Sequence, residues 1–265
     1  MSHRVTISFA IAAVLTGASA ASAALIENFD SYADQSAFQK AWPSWIADGT
    51  SMTLSRALGF SGSQSVSGVA LANYKYRNFR NLDDFAAYAG TDESPVRFQV
   101  SLYDANPLQT GAANARNFVE LRAYGAGPAG DGMPALSSTT GYSLQSVIAL
   151  GLYNSPNGNT YNFRVYGGGS NAWYSTQVKR TAGWHTMTAM IGSSSLQIYV
   201  DDVLTNTIAL CTPIPAFDGV VLGSGLTSSG YDVAFDDLVV AKTPEPSTLL
   251  ALAAGAVFLR RRRIR

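Results

Sequence analysis

Short runs in which apolar and polar residues alternate strictly, each closed by Gly, Ser, Asn or Pro, recur along the chain. A period of two is the mark of strands with one face buried and one face wet. Phe98, Val100 and Leu102 alternate with Arg97, Gln99, Ser101 and Tyr103. Val119, Leu121 and Ala123 alternate with Glu120, Arg122 and Tyr124, and Phe163 and Val165 with Asn162, Arg164 and Tyr166. Further strands are expected at Leu25 to Phe29, Ser51 to Ser55, Ser143 to Leu152, Trp184 to Ile191, Leu196 to Val200, Gly219 to Leu222 and Val233 to Val240. Only Asp34 to Trp42 reads as a helix, with Asp34 or Ser36 as cap and Ala37, Phe38 and Trp42 on one face. The pattern predicts an all-β, two-sheet antiparallel sandwich with one short helix near its N-terminus. A single Cys excludes a disulfide scaffold and any Cys-based zinc site.

Both ends of the chain depart from this pattern. Residues 1–23 open with His3 and Arg4, run through an apolar core from Ile7 to Leu15 and close on Ala21, Ser22 and Ala23, the order of a secretory signal peptide cut after Ala23. Residues 243–265 carry Pro244, Glu245 and Pro246, an apolar run from Leu249 to Leu259, and a cluster of arginines from Arg260. As a helix, eleven residues reach about 16 Å at ~1.5 Å per residue, against a hydrocarbon core of about 30 Å. That makes a marginal span, lengthened by Ser247, Thr248 and snorkelling arginines, with the arginines on the cytoplasmic side and the domain outside. Between the ends lies the expected folded domain, 24–242.

The net charge of zero hides a division. From Ala24 to Thr243 there are 12 basic and 17 acidic residues, a net charge of −5. An acidic domain without a Lys/Arg cluster in its sequence offers no footprint for nucleic acid, and none is expected as a partner.

The tail resembles the PEP-CTERM protein-sorting signal of Gram-negative bacteria, with Pro244, Glu245 and Pro246 matching its Pro-Glu-Pro motif. The resemblance implies recognition and removal by a membrane-embedded exosortase, and an association with exopolysaccharide and the extracellular matrix. A second resemblance runs through Gly183-Trp184-His185 and the strand that follows, then Leu196 to Val200 and Asp201-Asp202. These are similar to a strand pair of concanavalin A-like, laminin G-like jelly rolls. That family usually has glycine where this chain has Asp202, which implies a looser hairpin. The opening Glu27 to Tyr32 and the closing Phe235 to Val240 look like the first and last strands of such a domain. A jelly roll is therefore the expected fold, with Trp184, Ile198 and Val200 in or beside the core. That architecture hosts lectins, glycosidases and structural domains alike.

Each chemical candidate has a plainer alternative. His185 is the only histidine of the domain, so any Ser-His-Asp mechanism must use it, but its place in a strand signature favours a structural imidazole. Cys211 reads as a small hydrophobe. Gly125, Gly127 and Gly130 form a GxGxxG string with Pro128 inside it and no helix pattern after it, a chance match in a loop. Jelly-roll glycosidases need two carboxylates facing one sugar bond, and within the domain only Glu27, Glu93 and Glu120 supply glutamates, none of them alternating with another acid. No catalytic residue is expected. Calcium is a candidate cofactor: Asp236 or Asp237 must be drawn inward whatever the phase of the last strand, and Glu27 and Asp30 on the first strand are its candidate co-ligands. The alternative there is an Arg partner or a β-bulge.

What the strands leave over once their apolar halves are buried is a polar and aromatic set: Gln99, Tyr103, Glu120, Arg122, Tyr124, Asn162, Arg164 and Tyr166. On one sheet face they would offer rings to sugar faces and polar groups to hydroxyls. The alternative is an ordinary solvated face. The sequence thus supports an exported, non-catalytic surface or matrix protein that binds glycan, against a polysaccharide-acting glycosidase or lyase of the same architecture, or a purely structural matrix component.

Overall fold

The computed structural model describes residues 24–44, 51–68, 77–82, 88–109, 115–124, 144–223 and 231–243. The expected signal peptide, the glycine string, the Pro244-Glu245-Pro246 motif and the apolar run after it lie outside the described residues.

In chain order the strands are β1 (Ala24–Glu27), β2 (Thr53–Ser55), β3 (Ser65–Gly68), β4 (Arg77–Asn81), β5 (Val96–Asp104), β6 (Arg116–Ala123) and β7 (Ser146–Tyr153). They continue as β8 (Thr160–Gly167), β9 (Ser170–Lys179), β10 (Gly183–Ile191), β11 (Ser195–Val200), β12 (Val203–Ala209), β13 (Gly219–Gly223) and β14 (Val233–Lys242). Every pairing among them is antiparallel. Eight strands form one sheet in the order β12-β11-β10-β5-β14-β3-β2, with β1 also on β14, and six form the other in the order β4-β13-β6-β7-β8-β9. The fold is a two-sheet antiparallel jelly-roll sandwich. Each sequence-expected strand has its counterpart, and β3, β4, β9 and β12 are additional.

Alternation decides what lies between the sheets. Phe98, Val100 and Leu102 from β5 meet Val119, Leu121, Phe163 and Val165 from the other sheet in one core, all fully buried. Ile198 and Val200 join it. The helix α1 (Gln35–Ala41) caps one edge: Asp34 is its N-cap, accepting from the Ala37 N–H at 2.8 Å, and Phe38 and Trp42 are fully buried against Phe29.

Trp184 departs from expectation. Met187, Ala189 and Ile191 take the core side of β10, so Trp184 and Thr186 face outward, and the indole is only partly buried, against Tyr103 (5.4 Å between ring centroids) and Phe60 (5.5 Å). The phase of the strand, set by its C-terminal apolar residues, overrides the size of the first aromatic.

The Asp201-Asp202 turn is tight rather than loose. Both residues take positive φ, 49° and 62°, as a two-residue hairpin turn requires, and Val200 still pairs with Val203. Asp201 holds this conformation by accepting from the Thr186 N–H at 2.8 Å and binding His185 Nδ1 at 2.8 Å. His185 Nε2 lies 2.9 Å from Thr181 Oγ1, and its ring packs at a tilt against Tyr161, with centroids 5.0 Å apart. The imidazole bridges the two ends of a hairpin.

At one end the sheets are joined by a sealed ion pair. Arg180, just past β9, donates from Nε and Nη2 to the two oxygens of Asp104 on β5, at 2.7 and 2.9 Å. Its remaining N–H groups reach the carbonyls of Gln109, Gly158 and Asn106. At another end Ala24 pairs with Ala241, and the N–H of Thr243, the residue before Pro244, donates to Pro95 O at 2.9 Å.

Candidate functional site

The polar set expected from alternation divides between the two outer faces of the sandwich. Gln99 and Tyr103 lie on β5, in the eight-stranded sheet. Glu120, Arg122, Tyr124, Asn162, Arg164 and Tyr166 lie on the six-stranded one. Alternation shows which residues share one side of a strand, but not which sheet the strand enters.

On the six-stranded sheet, register sets the residues in rows. Val221, Glu120, Ala149, Arg164 and Trp173 stand side by side across β13, β6, β7, β8 and β9. Gly219, Arg122, Val147, Tyr166 and Asn171 form the next row, and Gly223, Phe118, Gly151, Asn162 and Ser175 the row beyond. The long side chains of β6 therefore stand between small residues on β13 and β7. At Gly151 a Cβ would meet the backbone oxygen of Asn117 at 2.2 Å, so this position keeps its neighbour close only as glycine.

Glu120 is the carboxylate of these rows, and it accepts from Arg122 Nε at 2.7 Å, while Arg122 Nη1 donates to Tyr124 Oη at 2.8 Å. Both ends of this ladder are buried, Glu120 to 7% exposure. Burial raises the Glu120 pKa, but the guanidinium groups of Arg122, Arg77 and Arg116 outweigh it and hold the carboxyl at about 2. Arg77, opposite Gly223 on β4, is pushed down to about 10 by burial, with Glu120 opposing.

Towards β8 and β9 the face opens. Arg164, Tyr166, Trp173, Arg116 and Tyr153 are all partly exposed. Arg164 lies over the Trp173 ring at 5.1 Å and the Tyr166 ring at 5.6 Å, and Arg116 lies over Trp173 at 6.0 Å, distances at which cation–π attraction operates. Phe118 and Tyr153 pack on the same indole, with centroids 4.8 and 4.7 Å away. Burial lowers the Arg164 pKa, with Arg116 and Arg122 adding to the effect and Glu120 opposing it.

Trp173, Arg116 and Arg77 were not visible as site residues in the sequence. A signal did exist for Trp173: Gly167, Gly168 and Gly169, all at positive φ, form the turn of a hairpin. A partner strand after that turn places Trp173 opposite Arg164.

The four acids expected at the first and last strands do not assemble into one ligand set. Glu27 is taken by Arg80 at 2.9 Å, Tyr32 Oη at 2.6 Å and the Phe29 N–H at 2.8 Å, the Arg-partner alternative. Asp30 accepts from the Ser63 and Gln64 N–H groups, both at 2.9 Å. Asp236 faces outward on β14 yet is fully buried, and the Phe60 N–H donates to it at 2.7 Å. A β-bulge follows, with Asp237 at φ 44° and bonded to Ser61 Oγ. Burial pushes Asp236 up to about 6, and the neighbouring charges of Asp237 and Asp30 push the same way. Asp30 and Asp236 are thus hydrogen-bonded by N–H groups of the loop that runs beside them. Among the described residues no group of three or more His, Cys, Asp or Glu is placed to hold a metal.

A two-sheet antiparallel sandwich with a sorting segment at its C-terminal end is thus what the fold and sequence show. Residues 242–263 match the family described as the PEP-CTERM protein-sorting motif, so the chain carries an export address at its C-terminal end. No curated protein matches the chain. Among solved structures it is similar to a sialidase, at 12% identity and TM-score 0.45, covering 85% of this chain and 19% of that one. It is also similar to domain 4 of AbnA, a GH43 extracellular arabinanase from Geobacillus stearothermophilus solved with arabinotriose (12%, TM-score 0.46, 85% and 84% covered). A third is the exoplasmic/lumenal domain of VIP36 in a Ca2+/Man3GlcNAc-bound form (11%, TM-score 0.45, 84% and 89% covered).

Proposed function

We propose that this is an exported, non-catalytic surface or matrix protein, processed by an exosortase at its tail, whose six-stranded sheet binds glycan on its outer face. The observation that carries the reading is the part-exposed set of Trp173, Tyr166 and Arg164, flat rings and a guanidinium on one row and the next. Rings of this kind cover the apolar faces of sugars while amide and guanidinium groups bond hydroxyls.

Hydrolysis is the weaker reading because of Glu120. A carboxyl held at about 2 and bonded to Arg122 cannot serve as general acid near neutral pH, and a hydrolase needs a second carboxylate facing the same bond. Asp218, whose pKa burial raises, precedes Gly219, which pairs with Arg122. Its side chain therefore leaves on the other side of the sheet, where it accepts from the Tyr124 N–H.

A glycan array probed with the protein, with and without calcium, tests the proposal. Saturable binding without release of reducing ends supports it, and sugar release from a bound polymer would replace it with the glycosidase reading. Structural calcium is a separate question of stability, decided by melting curves with calcium and with chelator. A rise that Asp236→Asn abolishes would place an ion among Asp30, Asp236 and Asp237. Identical curves would leave the loop held by its N–H donors alone.

A further inference from the structure

The outer face of the eight-stranded sheet holds a hydroxyl that packing does not explain. Val100 and Leu102 take the core side of β5, so Ser101 points outward. It is nevertheless fully buried, and among the described residues its Oγ has no hydrogen-bond partner. A polar group buried in this way bears its desolvation cost with no bond in return. In register, Ser101 stands between Thr186 on β10 and Asp236 on β14.

Aromatic rings border it on one side. Tyr103, two residues along the same side of β5, pairs with Trp184, and the two rings lie 5.4 Å apart at 63°. Phe60 bridges the strands that flank β5: its N–H donates to Asp236 at 2.7 Å, and its ring meets that of Trp184 at 5.5 Å. Phe60 is 47% exposed, and Trp184 and Tyr103 are partly exposed. Two residues from Ser101 in the other direction lies Gln99, opposite Thr188 and accepting from its Oγ1 at 3.3 Å. Rings at one end, with neutral hydroxyl and amide groups beside them, suit a molecule that combines apolar ring faces with hydroxyls. A purely apolar protein surface would cover the rings and leave Ser101 unbonded.

We propose that this patch is a second glycan contact, in which a neutral sugar ring packs on Trp184, Tyr103 and Phe60 and a sugar hydroxyl bonds Ser101. The Phe60 side chain, which borders solvent, turns aside to admit that hydroxyl. This contact rests on the glycan-binding reading above and extends it from one outer face of the sandwich to the other, so that one domain holds two sugar chains.

Calorimetric titration of the full-length protein, in a detergent without a sugar headgroup, with neutral hexasaccharides of glucose, xylose, arabinose, mannose and galactose counts the sites. Two per chain are expected for at least one of these sugars. Ser101→Ala should weaken one of the two by about fivefold, the worth of one neutral hydrogen bond, with a melting temperature unchanged or raised because the unbonded hydroxyl is gone. Phe60→Ala should weaken the same site by about tenfold or more, with little change in melting temperature because the side chain is half exposed. Tyr166→Ala, on the six-stranded sheet, should weaken the other site and leave this one. A single site, lost in Tyr166→Ala and untouched by Phe60→Ala and Ser101→Ala, would overturn the second contact and leave the reading above standing. A single site lost in Phe60→Ala and untouched by Tyr166→Ala would overturn the six-stranded face and the two-chain arrangement. Binding of none of these sugars would remove both contacts. Two unchanged sites in Ser101→Ala, with a lowered melting temperature, would show that the hydroxyl serves the fold and would overturn its assignment to the ligand.

Discussion

Two arginine–carboxylate clusters sit in this sandwich, and they solve the same problem in opposite ways. Arg180 and Asp104 are sealed between the sheets, bidentate and balanced in charge, with three backbone carbonyls receiving what Asp104 does not. Glu120 lies on an outer face, equally committed to Arg122, yet ringed by further arginines whose guanidinium groups rest on aromatic faces. Saturation is the signature of a structural pair. On the outer face the carboxylate is committed to Arg122 while the neighbouring guanidinium groups of Arg116 and Arg164 pack over aromatic rings at the edge of solvent.

The largest expected effect tests the structural half of this contrast. Removing one partner of a sealed pair leaves a bare charge in the interior, so Arg180→Ala or Asp104→Ala should cost about 3–5 kcal/mol in urea unfolding. A loss below about 1 kcal/mol, the worth of an exposed pair, would show that water reaches this end of the sandwich. On the outer face, Glu120→Gln should cost less, about 2–3 kcal/mol, because its arginines border solvent and can shift towards it. The pH sign follows from a folded pKa of about 2, below the ordinary value. The stabilisation is full above about 4.5 and is lost as pH falls towards 2, and the variant should lack that acid-side decline.

Much of this architecture was legible from the period-two pattern, because a buried face on each strand fixes which residues point inward: Phe98, Val100, Leu121 and Phe163 are where alternation puts them. The two sheets' partition was not. Tyr103 and Tyr124 have the same phase on consecutive strands, yet β5 pairs with β10 and β14 while β6 pairs with β7 and β13, and nothing local to either strand encodes that choice. β12 escaped notice because it is an edge strand without a buried stripe, and β9 because its partner across the glycine turn, rather than its own alternation, defines it. The candidate site was legible where it lies on strongly alternating strands, Glu120, Arg122, Arg164 and Tyr166, and hidden where register alone brings in Trp173, Arg116 and Arg77.

A smaller effect separates the outer aromatics from the core. Trp184 is partly exposed beside Tyr103 and Phe60, so Trp184→Ala should cost about 1–2 kcal/mol. Trp42, with no exposed surface, should cost about 3–5 kcal/mol when truncated. Equal losses in the two variants would return Trp184 to the core.

A third buried carboxylate sharpens the comparison by having no arginine bonded to it among the described residues. Asp236 is fully buried, receives the N–H groups of Phe60 and Asp237 among the described residues, and is pushed up to about 6 by burial and by the nearby charges of Asp237 and Asp30. Its folded pKa lies above the ordinary carboxylate value, so the sign is opposite to that of Glu120. The contribution to stability is fully present below about pH 4, where the group is protonated in both states, and is lost as pH rises through 6 and the folded protein must hold a buried charge. The loss is about 1–2 kcal/mol over that window. Asp236→Asn carries no titrating group, and every other ionisable side chain is common to both proteins. The difference in unfolding free energy, wild type minus variant, should therefore fall between pH 4 and pH 7 and level off beyond. A difference that stays flat would mean that two backbone N–H groups suffice to solvate this carboxylate, and that a buried acid in this fold needs neither an arginine nor a proton.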